Sequence, residues 1–104
     1  MRLKTQRQGR ILKAALFGEL DQHSAEQVRD ELDELLREEN ITRLEFDLKG
    51  VSFMDSAGIG VILGRYKKLA ARGGSMDVRN AGGSVEKVLR MSGVYTLVTE
   101  RSTK

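Results

Sequence analysis

The sequence has no cysteine, which removes disulfides, thiolate metal sites and a cysteine nucleophile together. It has one histidine, His23, so a multi-histidine zinc site is excluded and a Ser-His-Asp triad has little to draw on. Proline is absent, which argues against a Pro-rich linker or tail. Aromatics are few: Phe17, Phe46, Phe53, Tyr66 and Tyr95, of which the three phenylalanines read as core. No apolar run approaches the ~18–20 residues that span a bilayer. The first residues, with Arg2, Lys4, Arg7 and Arg10 among polar neighbours, carry no apolar signal segment. What is present is 104 residues, 39% hydrophobic and 32% charged, about one domain's worth of chain with enough apolar content for a core. The expectation is one domain over residues 1–104, cytoplasmic, away from membranes, and poorly equipped for catalysis.

The net charge of +3 conceals an asymmetry. Nine acids face only Arg29 and Arg37 between residues 19 and 39, a local balance of −7 that leaves +10 on the remainder. A basic remainder raises the case for nucleic acid or an acidic partner. Readers of nucleic acid, however, set stacking aromatics among their basic residues, and those are scarce here. A small nucleic-acid- or nucleotide-binding domain is therefore the alternative reading, and no nucleic-acid partner is the first one.

Periodicity supplies the elements. Leu12, Ala14 and Leu16 alternate with Lys13, Ala15 and Phe17 as a strand, which Gly18 ends. Residues 3–6 pair with it through a turn at Gly9. Ser24 is a candidate N-cap with Gln27 as its capping-box partner. Val28, Leu32, Leu35 and Leu36 then follow at helical spacing, which predicts a helix over about 25–38. Leu44, Phe46 and Leu48 mark a third strand, followed by a connection over 49–54. Ile59, Ile62, Leu63, Tyr66 and Ala70 make a second helical stripe, with Arg65, Lys67, Lys68 and Arg72 largely off it and Gly73 as its stop. Met76 and Val78 predict a fourth strand, Ser84 caps a short helix carrying Val85, Val88 and Leu89, and Leu97 and Val98 predict a last strand. The order β-β-α-β-α-β-α-β implies an α/β fold: a mixed sheet, parallel apart from the first hairpin, with helices mainly on one face.

Phosphate-loop motifs fail on inspection. Gly58, Gly60 and Gly64 read G-I-G-V-I-L-G, one residue out of step with G-x-G-x-x-G, and no Gly-Lys-Ser/Thr or G-x-S-x-G occurs. Gly60 and Gly64 read as glycines that bring their helix close to the sheet. The segment that stands out is F-M-D-S-A-G-I-G over 53–60. It runs from a strand through a loop into a helix N-terminus, where unpaired N–H groups and the positive dipole end favour an anion. Ser56 at that junction reads either as a simple N-cap or as a hydroxyl that accepts a phosphate. Asp55 reads as a loop-capping carboxylate rather than a catalyst, and Gly58 as a bare position where a partner approaches. A hydrolase using Ser56 lacks a base, since Asp55 activates serine poorly and His23 lies far off in sequence.

The run V-S-F-M-D-S-A-G-I-G-V-I-L-G-R-Y-K over 51–67 resembles the signature of the STAS-domain anti-sigma factor antagonists, and more narrowly their anti-sigma F branch in endospore formers. Glu19-Leu20-Asp21 followed by His23-Ser24-Ala25-Glu26 is similar to that family's entry into its first helix, and Met91-Ser92-Gly93-Val94 to its late turn. The resemblance implies a STAS-like single domain and a non-enzymatic regulator that needs no cofactor. Its partners would be an anti-sigma factor that is also a serine kinase, and a serine phosphatase. The unphosphorylated chain would bind the kinase and release the sigma factor, phosphorylation at Ser56 would end binding, and the phosphatase would reset it. Partner-binding residues implied by the resemblance are Glu19, Asp21, Asp55, Ser56, Ala57, Gly58 and Ile59, with His23 a surface residue near the cap. Ala57 stands where many members have a second serine, so Ser56 is the only hydroxyl at the motif. Relatives often continue into a C-terminal helix after the last strand, and the lack of any extension disfavours the anion-transporter and sensory-complex relatives.

Overall fold

A computed structural model describes residues 1–101. Its elements are β1 (Arg2–Gln8), β2 (Ile11–Leu20), α1 (Ala25–Leu35), β3 (Arg43–Met54), α2 (Ser56–Ala70), β4 (Ser75–Arg79), α3 (Gly83–Ser92), a 3₁₀ turn (Val94–Thr96) and β5 (Thr99–Arg101). The strands lie in the order β1-β2-β3-β4-β5, with β1 antiparallel to β2 and every other pair parallel. This is the expected mixed sheet and element order. Strands laid down in one direction with right-handed crossovers place each connecting helix on the same face. The buried side chains agree. Val28 and Leu32 of α1, Val61, Ile62 and Leu69 of α2, and Val85 and Leu89 of α3 join one cluster with Leu12, Leu16, Leu44, Phe46, Met76 and Val78 of the strands.

The alternate strand residues point the other way. Lys13, Glu45 and Asp77 are neighbours in register across β2, β3 and β4. Arg79 bonds Glu45 at 3.1 Å and Asp77 at 3.2 Å, and Arg43 bonds the same two carboxylates, so the buried acids are matched. Several arginines of the basic excess are likewise committed within the chain. Arg72 donates to the carbonyls of Leu36, Glu38 and Ile41, closing the end of α1 rather than of its own helix. Arg90 grips Glu100 with two contacts of 2.8 Å.

Several boundaries differ from the sequence expectation, each for a local reason. Gly18 does not end β2: at φ +116° it carries the strand on to Leu20. Residues 49–54 are strand rather than connection, because β3 absorbs two extra residues opposite β2 as register shifts and then continues to Met54. α1 stops at Leu35, where tighter turns begin and Arg72 takes its carbonyls. The expected capping box at Ser24 and Gln27 does not form; Ser24 makes no side-chain cap bond to the helix. α3 starts at Gly83 with Gly82 at its cap, so Ser84 lies inside the helix. Leu97 and Val98 are not strand, since both donate their N–H groups to Val94 in the 3₁₀ turn and have none to give a ladder.

The stripe of α2 is also rotated from the one expected. Its buried residues are Gly58, Val61, Ile62, Arg65 and Leu69, while Ile59, Leu63 and Tyr66 are half-buried and Ala70 is exposed. Arg65 is not off the stripe but at its centre, 2.9 Å from Asp33 of α1. Burial depresses its pKa, and the facing Asp33 carboxylate opposes that.

Candidate functional site

The parallel pairing of β2 and β3 brings the two sequence segments of interest together. Glu19 lies opposite Phe53 and Leu20 opposite Met54, so Glu19-Leu20-Asp21 and the loop into α2 leave the sheet side by side. The Asp55 N–H donates to the Leu20 carbonyl at 3.4 Å and ties the two exits. Carboxyl ends of adjacent parallel strands are where open α/β sheets place their sites.

Asp55, not Ser56, is the N-cap of α2. Its carboxylate accepts from the N–H groups of Ala57 at 2.9 Å and Gly58 at 3.4 Å. Ser56 is thereby displaced to the first helical position, exposed, and its hydroxyl has no hydrogen-bond partner among the described residues. Its serine neighbours are engaged. Ser24 Oγ donates to the Glu19 carbonyl at 2.7 Å and accepts from the Asp21 N–H at 3.1 Å, and Ser52 Oγ donates to the Gly18 carbonyl at 3.4 Å. Of these three hydroxyls only that of Ser56 stands free.

The cap changes the electrostatics expected at this helix end. A negative group already occupies the N–H groups of Ala57 and Gly58, and the Ile59 N–H is bonded to the Asp55 carbonyl at 3.2 Å. Of the first four N–H groups of α2, only that of Ser56 has no partner among the described residues. An added phosphate would find little of the donor cradle that a bare helix terminus offers. It would lie beside a carboxylate and be driven outward.

Gly58 is required by the fold. It is buried, and a Cβ there would stand 2.7 Å from Met54 Cγ and 2.8 Å from the Leu20 carbonyl oxygen. The glycine lets the head of α2 press onto the ends of β2 and β3. Gly60 and Gly64 behave in the opposite manner: a Cβ at either meets nothing within 4 Å, so the expected close packing on the sheet is not their reason.

Asp21 is half-buried, and its Oδ1 accepts from the N–H groups of His23 at 2.9 Å and Ser24 at 3.1 Å. Burial raises its pKa, but these bonds outweigh burial and hold the carboxyl below its ordinary value. One oxygen of Asp21 is therefore spent on the turn into α1. Glu19 is exposed and its carboxylate meets no cation among the described residues. Ala57 and Ile59 are half-buried at the helix head, and His23 is exposed.

Phe53 was expected in the core, yet it is 44% exposed beside the site. Simple alternation fails over this stretch, since Val51 is buried and Ser52 exposed; the second register shift against β2 turns Phe53 outward and Met54 inward.

Comparison with known proteins gives the family and the fold. Residues 2–103 match the STAS domain. The anti-sigma F factor antagonist of Paenibacillus polymyxa is 40% identical over 88 residues, covering 85% of this chain and 75% of that protein. The solved structure of the anti-sigma factor antagonist SpoIIAA in its unphosphorylated form superposes with a TM-score of 0.79 at 27% identity, over 99% of this chain and 90% of that one. The Bacillus cell fate determinant SpoIIAA in the phosphorylated form gives 0.79 at 28% identity, over 99% and 92%.

Proposed function

We infer the mechanism from one premise: this chain belongs to the STAS-domain family of anti-sigma factor antagonists. Unphosphorylated, it binds an anti-sigma factor that is a serine kinase, and the sigma factor is released. The kinase transfers a phosphate to Ser56, the modified chain lets go, and a serine phosphatase restores it. The chain is a substrate and a competitor in this cycle rather than a catalyst. Ser56, Asp55 and Ile59 at the head of α2, with Glu19 and the free oxygen of Asp21, form the surface that meets the kinase. Ala57 and Gly58 belong to that surface through their backbone, whose N–H groups Asp55 holds.

One observation carries this reading: the exposed Ser56 hydroxyl is unbonded because Asp55 has taken the capping role. The energetics then separate the fold from the interface. A phosphate adds about −1.5 to −2 charges. Toward its own helix it gains at most ~0.3–1 kcal/mol from the dipole, offset by the neighbouring Asp55. Against a partner carboxylate at ~4 Å each unit of that charge loses up to ~4 kcal/mol at an effective dielectric near 20. That is roughly a thousandfold in affinity. The host stays folded and the guest leaves.

Titration calorimetry with the purified anti-sigma kinase tests this. Ser56→Ala should bind as the parent does, and Ser56→Asp at least tenfold more weakly. Equal affinity for Ser56→Asp and parent refutes the electrostatic switch.

A further inference from the structure

We propose that the open face of the sheet carries a docking site of its own, a trough along β2 that takes an extended acidic segment of a partner protein. The segment lies over Ala15 with small apolar side chains at its middle and carboxylates at both ends, one end meeting Lys4 and Lys13 and the other Lys49. The site is separate from the surface around Ser56 and does not depend on the state of that hydroxyl.

The helices pack on one face of the sheet, and none of the described helices covers the other. Along β2 the side chains of Lys13, Ala15 and Phe17 point to that open face. Ala15 lies opposite Lys4 of β1 and Asp47 of β3, so a single methyl group sits among long side chains and leaves a depression. The depression measures about 610 Å³, within the range of sites that take a ligand, and Lys4, Gln6, Lys13, Glu45 and Arg79 wall it. A second one of about 420 Å³ shares Ala15 and Asp47 with it and runs past Phe17 to Lys49 and Gly50. From Lys13 to Phe17 the strand advances about 13 Å, room for about four residues of extended chain.

Which charges are already matched decides the sign of the trough. Glu45 is held by Arg43 and Arg79, and Asp47 accepts from the Lys49 N–H at 3.0 Å and from the Asn80 amide at 3.1 Å. Lys4, Lys13 and Lys49 are exposed, and their ammonium groups have no partner among the described residues. The surplus is cationic, and a concave site concentrates its field on an anionic guest. Phe17 favours a peptide over nucleic acid as that guest. The Arg2 guanidinium lies over its ring at 4.6 Å, and a Cβ at Gly50 would collide with the ring's edge, so the ring is walled in rather than offered to a base. A chain can also enter a depression that a flat lipid surface only spans.

The test uses the whole isotope-labelled chain at low ionic strength, with the capped hexapeptide E-E-A-A-E-E as probe and amide NMR shifts as readout. Saturable shifts are expected at Lys13, Ala15, Phe17 and Lys49. The double variant Lys4→Gln with Lys13→Gln should weaken binding at least tenfold. Ala15→Leu, which fills the depression and keeps every charge, should do the same, with Ala15→Val intermediate. Lys87→Gln, at an exposed position on α3, and Ser56→Asp should both bind as the parent. Absence of saturable shifts, or shifts confined to the loop into α2, overturns the proposal. Parent-like affinity in Ala15→Leu and Ala15→Val shows attraction without a trough and overturns it as well. A thymidine decanucleotide that binds this face more tightly than the peptide assigns it to nucleic acid. Vesicles of phosphatidylglycerol that sediment the parent but not the double lysine variant assign it to a membrane. Either result overturns the acidic segment as the occupant.

Discussion

The same substitution two residues apart in α2 should act in opposite directions. In Gly58→Ala the new methyl would stand 2.7 Å from Met54 Cγ, 2.8 Å from the Leu20 carbonyl oxygen and 3.1 Å from Leu20 Cγ. Met54 can swing aside, but the carbonyl is backbone of β2 and accepts the Asp55 N–H. The head of α2 must lift, loosening that bond and the packing beneath it. Overpacking of this kind costs about 1–3 kcal/mol, against up to ~1 kcal/mol gained in helix propensity. A net loss of roughly 1–2 kcal/mol lowers the midpoint of a domain this size by about 5–15 °C. In Gly60→Ala the methyl meets nothing within 4 Å, so only the propensity gain remains and the midpoint should rise by several degrees. Thermal and urea unfolding followed by circular dichroism measure both. A Gly58→Ala chain as stable as the parent would refute the claim that Gly58 is there for the approach of α2 to Leu20.

Three further outcomes follow from the geometry. Asp55→Ala removes the cap from Ala57 and Gly58 and should cost ~0.5–2 kcal/mol in urea unfolding, with Asp55→Ser recovering most of it; no loss would mean that Ser56 can cap the helix itself. Asp33→Ala leaves the buried Arg65 without its counter-charge and should destabilise by about 3 kcal/mol, whereas the double variant with Arg65→Met should recover much of that; additive losses would show the pair to be uncoupled. The depressed pKa of Asp21 means its stabilisation is complete above the unfolded value of 3.8 and lost as pH falls through the lower folded value. Asp21→Asn should therefore flatten the acid limb of the stability curve below about that pH, and an unchanged limb would assign the turn's stability elsewhere.

Much of the architecture was legible because it rests on periodicity. The alternation at Leu12, Ala14 and Leu16 and at Leu44, Phe46 and Leu48 gave strands, and the spacing of Val28, Leu32 and Leu36 gave α1. What misled was irregularity. The two extra residues in β3 disguised a strand as a loop, and Gly18 passed for a stop because its positive φ continues β2 by an uncommon route. The position of Ser56 was legible, but the division of labour was not. Which of two adjacent polar residues caps a helix depends on where the backbone turns, and here it turns one residue early. The apolar stripe of α2 was misplaced for a related reason: a helix with two apolar sides offers two stripes, and only the fold selects the buried one. Arg65 inside and Phe53 outside reverse what residue type alone suggests. Both follow from neighbours remote in sequence, Asp33 in one case and the shifted pairing with β2 in the other.

The central claim is that the one free hydroxyl at the head of α2 receives the phosphate. The direct measurement is intact mass followed by site mapping of the chain after incubation with its anti-sigma kinase and ATP. The account predicts one phosphate per chain, on Ser56, and none on Ser56→Ala. A phosphate mapped to Ser24 or Ser52, or full incorporation into Ser56→Ala, contradicts it.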